Sequence, residues 1–399
     1  LNKYNNSTLS LKSTLTLPCG VVLKNRIAKS PMSDSLGDGK GNPTVKQIRL
    51  YERWAQGGTA LSFIGEVQGD YHYPEKPGNL VLNENSDIEL LKQLSSKALI
   101  DDSHIWPQIG HAGALSHLPI SEPKGPSSLD LEGLKCEEMS IEEVKELPLM
   151  YARTALLAKE VGFSGIQIHA GHGFLLSQFL SPLFNKRKDE FGDSIKERSK
   201  IVLEIIQSVR NALGSSFPIA IRINSSDLLE SGLTQEDSLE FIKLLDDSSI
   251  DLIDISGGTY FPGAKASSEG ISNGPYFLDF AKSARQVTFK PLMITGGFKN
   301  KKEALDAISS GVVDMINIGR AMVLNPNLAN DWMNDTNVEV KFPRFESSVL
   351  GGITAWYIML LTAISEDREK EFDLELLTAL KEYEKRDAIR CNIWKDTFY

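Results

Sequence analysis

The sequence predicts one α/β domain, a (β/α)8 TIM barrel with a helical C-terminal extension. Three observations carry that expectation. Eight short apolar or β-branched runs recur along the chain, and amphipathic helical segments separate them one at a time. No Gly-x-Gly-x-x-Gly turn follows the first run, as a doubly wound sheet would usually show, and no Gly-x-x-x-x-Gly-Lys-Ser/Thr loop occurs.

Taken in order, strands are expected near Arg26–Pro31, Ala60–Glu66, His104–Ile109, Gly165–His169, Pro218–Ile223, Asp251–Ser256, Pro291–Thr295 and Asp314–Ile318. Val45–Gln56, Ser194–Leu213, Thr234–Ser248 and Lys301–Ser309 carry apolar residues at three- and four-residue steps, the pattern of a helix with one buried face. The longest connection, from His111 to Phe163, holds a turn-rich stretch from Ser121 to Ser128. A helix then opens with Ser140 and Glu143 at capping-box spacing, and Pro148 should kink or interrupt it. Ile353 to Ile364 reads as a core helix too short for a bilayer, and Phe372 to Trp394 as a long charged helix. The expected division is a barrel over 1–340 and a helical extension over 341–399, packed on the barrel. The amphipathic end, Leu376 to Trp394, suits packing on the barrel or on a second copy, so a homo-oligomer stays open.

With 399 residues, 41% hydrophobic and 24% charged, the composition is that of an ordinary globular protein. The formal net charge of −10 argues against a general nucleic-acid or anionic-membrane binder, which needs a basic face. Cys19, Cys136 and Cys391 lie far apart without a Cys-x-x-Cys pair, which argues against zinc ribbons and iron–sulfur clusters. Few cysteines and a polar Leu1–Ser10 without a signal-like apolar run point to a reducing, cytoplasmic setting.

In such barrels, ligands meet the C-terminal ends of the strands and the loops just after them. The first predicted strand ends in Ser30-Pro31-Met32-Ser33, which reads as a tight turn or a small polar lining. Gln108 ends the third, where its amide can pair with a heterocycle's edge or with backbone groups. His169 and His172 leave the fourth, two imidazoles suited to donating to a carbonyl or phenolate oxygen; capping histidines are the plainer reading. No metal is expected there, since no third ligand is tied to the pair. Arg222, in the apolar fifth strand, needs either an internal carboxylate or a ligand that becomes negative. Gly296 and Gly297 follow the seventh strand and Gly319 and Arg320 the eighth, the usual place for a phosphate held by backbone N–H groups.

These residues resemble the old yellow enzyme family of NADH:flavin oxidoreductases. The likeness runs from about Leu23 to Asn330 and is most specific in Gly162 to Asp193, with Gln178-Phe179-Leu180-Ser181-Pro182, Asn185-Lys186-Arg187 and Asp189-Glu190-Phe191-Gly192. Leu23-Lys24-Asn25-Arg26 and Gly319-Arg320 also match. The resemblance implies FMN as cofactor and NADH or NADPH as hydride donor, with a small electron-poor molecule such as an activated alkene reduced in a ping-pong cycle. It implies that Ser30, Pro31, Met32 and Ser33 line the flavin's central ring, and that Gln108 and Arg222 hold its pyrimidine edge. Gly296, Gly297, Gly319 and Arg320 would hold its phosphate, and His169 and His172 the substrate's oxygen.

Two departures stand out. Phe174 occupies the position where the family usually has a proton-donating tyrosine, and Glu66 puts a carboxylate where many relatives have a small or neutral residue beside the flavin. Some relatives continue into a cysteine-ligated cluster and a second nucleotide-binding domain, and this chain is expected to carry FMN alone. Two rivals remain: a flavin-binding barrel whose alkene reduction has decayed, and a flavin-free lyase using His169 and His172 on a phosphorylated substrate.

Overall fold

The computed structural model describes residues 9–262, 264, 274–336, 338–345 and 349–399. The polar stretch from Leu1 to Ser10 therefore falls mostly on residues 1–8, outside the described residues.

Eight parallel strands close into a barrel: β1 (Ile27–Lys29), β2 (Leu61–Gln68), β3 (His104–Gly110), β4 (Ile166–Ala170), β5 (Ile219–Asn224), β6 (Leu252–Ser256), β7 (Leu292–Thr295) and β8 (Met315–Ile318). Each pairs with the next, and β8 returns to β1 to close the ring. All eight lie where the apolar runs placed them, shifted by a residue or two at the ends. The outer layer is α1 (Val45–Gln56), α2 (Ile88–Ala98), α3 (Ile141–Glu160), α4 (Ile195–Leu213), α5 (Gln235–Asp246), α6 (Leu278–Ala284), α7 (Lys301–Ser309) and the short α8 (Arg320–Leu324).

Strand residues alternate between two environments because successive side chains point to opposite faces. Ile166, Ile168, Ile219, Ile221, Ile253, Ile255, Ile294 and Ile316 face outward into the main core shared with the helices. Ala28, Leu61, Phe63, Trp106, Ala220, Leu252, Met293 and Met315 form a separate apolar cluster with Leu15, Leu17 and Leu23 of the N-terminal hairpin. That cluster fills the barrel's lower interior, and the hairpin is its floor. One inward step further along the strands, the interior turns polar, with Gln108, Gln167, Arg222, Asp254 and Asn317 all buried. The site is built on this upper layer.

The chain after the barrel forms α9 (Gly352–Ser365) and α10 (Leu376–Phe398). α9 packs on α1, and ion pairs from Arg49 to Asp367 and from Arg53 to Glu369 stitch the two regions together. Among the described residues, no helix is long and apolar enough to cross a membrane.

Candidate active site

Asp254 is the hub of the polar layer. Arg222 Nε donates to Asp254 Oδ2 at 2.8 Å, and its Nη2 lies 2.6 Å from the same oxygen. Gln167 Nε2 and Asn317 Nδ2 also donate to Oδ2, at 3.0 and 3.1 Å, while Thr295 Oγ1 donates to Oδ1 at 2.7 Å. Strand register places Arg222 between His169 of β4 and Asp254 of β6. Five strands thus supply one network, and β3 joins it through Gln108 Nε2, which donates to Gln167 Oε1 at 2.7 Å.

For two residues the structure shows an internal side-chain partner. Arg222 does bond an internal acid, because a guanidinium that is 2% exposed needs its charge balanced within the fold. Gln108 is not a free amide, since one end is held by Gln167. Both nevertheless retain binding capacity. Nη2 of Arg222 also donates to Ser30 Oγ (3.1 Å) and Thr295 Oγ1 (2.8 Å), yet Nη1 has no partner among the described residues. Asp254 neutralises and orients the guanidinium from one edge, leaving the other for a ligand.

The mouth above this layer is open. Met32, Ser33, His172, Thr295, Gly296, Gly297, Gly319 and Arg320 are all partly exposed around it. Ser33 Oγ donates to Glu75 Oε2 at 2.9 Å, and burial, then the neighbouring Glu66, pushes the Glu75 carboxyl up to about 7. A separate groove of about 750 Å³ lies between the loop after β2 (Gly69 to Tyr73) and α3, and it contains none of the polar-layer residues.

His169 and His172 converge as expected, with ring centroids 5.3 Å apart. Burial, then Arg222 for His169 and His169 for His172, holds both imidazoles well below the usual range, so both are neutral at physiological pH. His172 has φ +60°, a left-handed backbone that a non-glycine residue rarely adopts, and its Nε2 lies 2.8 Å from Ser256 Oγ. His169 Nε2 is buried without a partner. Its Nδ1 lies 2.8 Å from Glu66 Oε1, close but without the alignment of a hydrogen bond. Among the described residues, no group of three metal-ligating side chains forms.

Glu66 does reach the mouth, where a carboxylate would oppose negative charge. Burial pushes its carboxyl up to about 8, against the smaller opposing pull of Arg222, so at neutral pH it is predominantly the uncharged acid. Phe174 is buried and packs 5.0 Å from the His169 ring.

FMN fits these residues. Buried polar atoms without partners stand in the polar layer and beside the mouth: Asn317 Oδ1, His169 Nε2 and Glu66 Oε2. Each costs about 1–3 kcal/mol if left unpaired, and a polar heteroaromatic ring offers partners. After β8, the Arg320 guanidinium lies 5.9 Å over the Tyr357 ring and has no acidic partner among the described residues. Gly296 and Gly297 adopt φ of +93° and +85°. A Cβ on Gly297 would stand 2.2 Å from the carbonyl oxygen of Gly274, so this close-packed turn requires glycine.

The profile of the NADH:flavin oxidoreductase / NADH oxidase family matches residues 17–337. The chain belongs to this family. It is an NAD(P)H:flavin oxidoreductase of old yellow enzyme type with FMN as cofactor, and the flavin-free lyase reading falls. The NADH-dependent flavin oxidoreductase iliE of Hypocrea jecorina is 32% identical, across 86% of this chain and 95% of that protein. The NADPH dehydrogenase of Bacillus subtilis is 30% identical, across 81% and 94%. Among solved structures, a 2-naphthoyl-CoA reductase complex has a TM-score of 0.77 at 25% identity, covering 82% of this chain; the chain spans about half (52%) of that protein's length. Morphinone reductase, at 20% identity and covering 84% of this chain and 92% of its own, shares the fold with a TM-score of 0.72.

Sequence reasoning missed Asp254, Gln167, Thr295 and Asn317 as network members, and Tyr260 of the loop after β6. The signal for Asp254 was present: an acid in an otherwise apolar strand poses the same question as Arg222.

Proposed function

We propose that this oxidoreductase reduces a small electron-poor acceptor, such as an α,β-unsaturated carbonyl compound, in a ping-pong cycle at the barrel mouth. When bound, FMN would supply two-electron chemistry between NADH or NADPH and the acceptor. Arg222 Nη1 and the free end of Gln108 hold the pyrimidine edge of the flavin, and the fixed guanidinium favours negative charge there. Ser30, Pro31, Met32 and Ser33 line the central ring, while Gly296, Gly297, Gly319 and Arg320 hold the phosphate. His169 and His172, kept neutral, bind the acceptor's oxygen and polarise it.

The observation that carries this reading is the pair of neutral imidazoles at an open mouth, with His169 in register beside a guanidinium that keeps one nitrogen unpartnered among the described residues. The domain reading is retained within it: a barrel over 1–340 and a packed extension over 341–399. Three free cysteines suit a cytoplasmic setting. The test is to reduce the purified yellow protein with NADH or NADPH in a stopped-flow instrument, then mix it with enones, quinones, nitro compounds or oxygen. Fast reoxidation by enones supports the reading. A protein that neither nucleotide bleaches is instead a flavin-binding module, the reading that Phe174 favours.

A further inference from the structure

Phe174 leaves the loop after β4 without a hydroxyl, and the loop after β6 brings a tyrosine, Tyr260, beside it. Thr259 forms a parallel bridge with His172, and the Tyr260 backbone N–H donates to His172 O at 3.0 Å. The two loops meet at Gly173, where a Cβ would stand 2.0 Å from Thr259 Oγ1 and 2.9 Å from the Phe261 ring. Tyr260 is therefore positioned by the strained turn that positions His172. Its ring lies 5.6 Å from the His172 ring and 5.8 Å from the Phe174 ring.

Tyr260 is 67% exposed, and its hydroxyl bonds no described residue. Desolvation, then Glu75 and Glu66, pushes the phenol up to about 12. It is thus protonated at neutral pH and within reach of water.

We propose that Tyr260 is the proton donor in acceptor reduction, standing in for the hydroxyl missing at Phe174. This rests on the activated-alkene reading given above. Hydride originating from NAD(P)H would form the new C–H bond at the β-carbon. The alkene's π pair moves onto the α-carbon and the carbonyl oxygen held by His169 and His172. The Tyr260 O–H bond breaks, its proton forms the C–H bond at the α-carbon, and the phenolate regains a proton from solvent. NAD(P)H is oxidised and the alkene reduced.

The test uses FMN-loaded wild type, Tyr260→Phe and the double variant Tyr260→Phe/Phe174→Tyr. Reduction by NAD(P)H and reoxidation by 2-cyclohexenone and by benzoquinone, which needs no proton at carbon, are followed separately. Tyr260→Phe should slow reoxidation by cyclohexenone about 100-fold, the scale of a lost general acid, and leave the other two steps unchanged. The double variant should recover at least about tenfold of that loss, a rescue that a structural role would not give. In D2O, wild type should place deuterium on one face of the α-carbon and Tyr260→Phe on both. Equal cyclohexenone rates in wild type and Tyr260→Phe, or a loss that strikes benzoquinone equally, overturns the role of Tyr260. A wild type that takes benzoquinone but no enone overturns the alkene reading and Tyr260's role with it.

Discussion

Asp254 and Glu66 are two buried acids near one site with opposite surroundings. Asp254 accepts from Arg222, Gln167, Asn317 and Thr295. Replacing it with alanine leaves the Arg222 charge unpaired, which costs about 3–5 kcal/mol. Asp254→Ala should lower the denaturant midpoint accordingly and purify with less FMN per chain. A variant of wild-type stability would show that Arg222 finds its counter-charge elsewhere. Glu66 has no such donors among the described residues, so burial decides its state and pushes its carboxyl up to about 8. Between about pH 4.5 and 8 the folded chain therefore binds a proton at Glu66 that the unfolded chain has released. That proton costs stability progressively as pH rises across the window, and the loss levels off above about 8. Glu66→Gln cannot titrate, so its melting temperature should fall less than that of wild type between pH 5 and 8. Parallel curves for the two proteins would mean that Glu66 ionises normally.

At the scale of elements, the strands were legible because their outward faces are isoleucine-rich and each run is bounded by turn residues. Their inward faces were less so. Arg222 was recognisable as a buried charge, but its partner could be named only once β5 and β6 were in register. Pro148 does not interrupt its helix: Ile141–Glu160 is continuous. A mid-helix proline costs about 3 kcal/mol, yet Val144, Leu147, Tyr151, Ala155 and Ala158 are buried along this helix, which packs on α4. At about 1.5–3 kcal/mol for each large apolar side chain, that burial exceeds the penalty. The turn-rich stretch leads into a small sheet, with Leu129–Leu131 and Leu134–Glu138 paired, whose short charged strands give little periodic signal. The glycine turn after β7, by contrast, is visible in the sequence and strict in the structure. Gly297→Ala would force a side chain into a left-handed backbone and against the carbonyl of Gly274. It should destabilise the protein by more than about 1 kcal/mol and weaken FMN binding, read by thermal melting and by flavin fluorescence on dilution. Unchanged flavin affinity would place the phosphate elsewhere.

Across the whole molecule, the extension is tied to the mouth as well as to the barrel's outer wall. Trp394 of α10 is fully buried against a satellite cluster with Val81, Ile120 and Cys391. One turn earlier on the same helix, Arg390 Nη1 donates to Ser35 O at 2.6 Å, and Ser35 Oγ donates to Asp387 Oδ1 at 3.3 Å. Ser35 itself has φ +51°, a backbone that surrounding contacts must hold, and it lies two residues beyond Ser33 at the rim. Loosening α10 should therefore act in two places. Trp394→Ala removes a large buried side chain, a change that costs about 3–5 kcal/mol in a well-packed core. It should also raise the dissociation constant for FMN, because the segment from Ser30 to Ser33 loses its outer support. His169→Ala serves as the comparison: it lies at the mouth itself, so it should lose affinity for phenolic ligands far more than for FMN, without the loss of stability that Trp394→Ala brings. Measured together, chemical denaturation and flavin titration separate the outcomes. If Trp394→Ala is destabilised while its FMN affinity matches wild type, α10 holds the fold and has no bearing on the mouth.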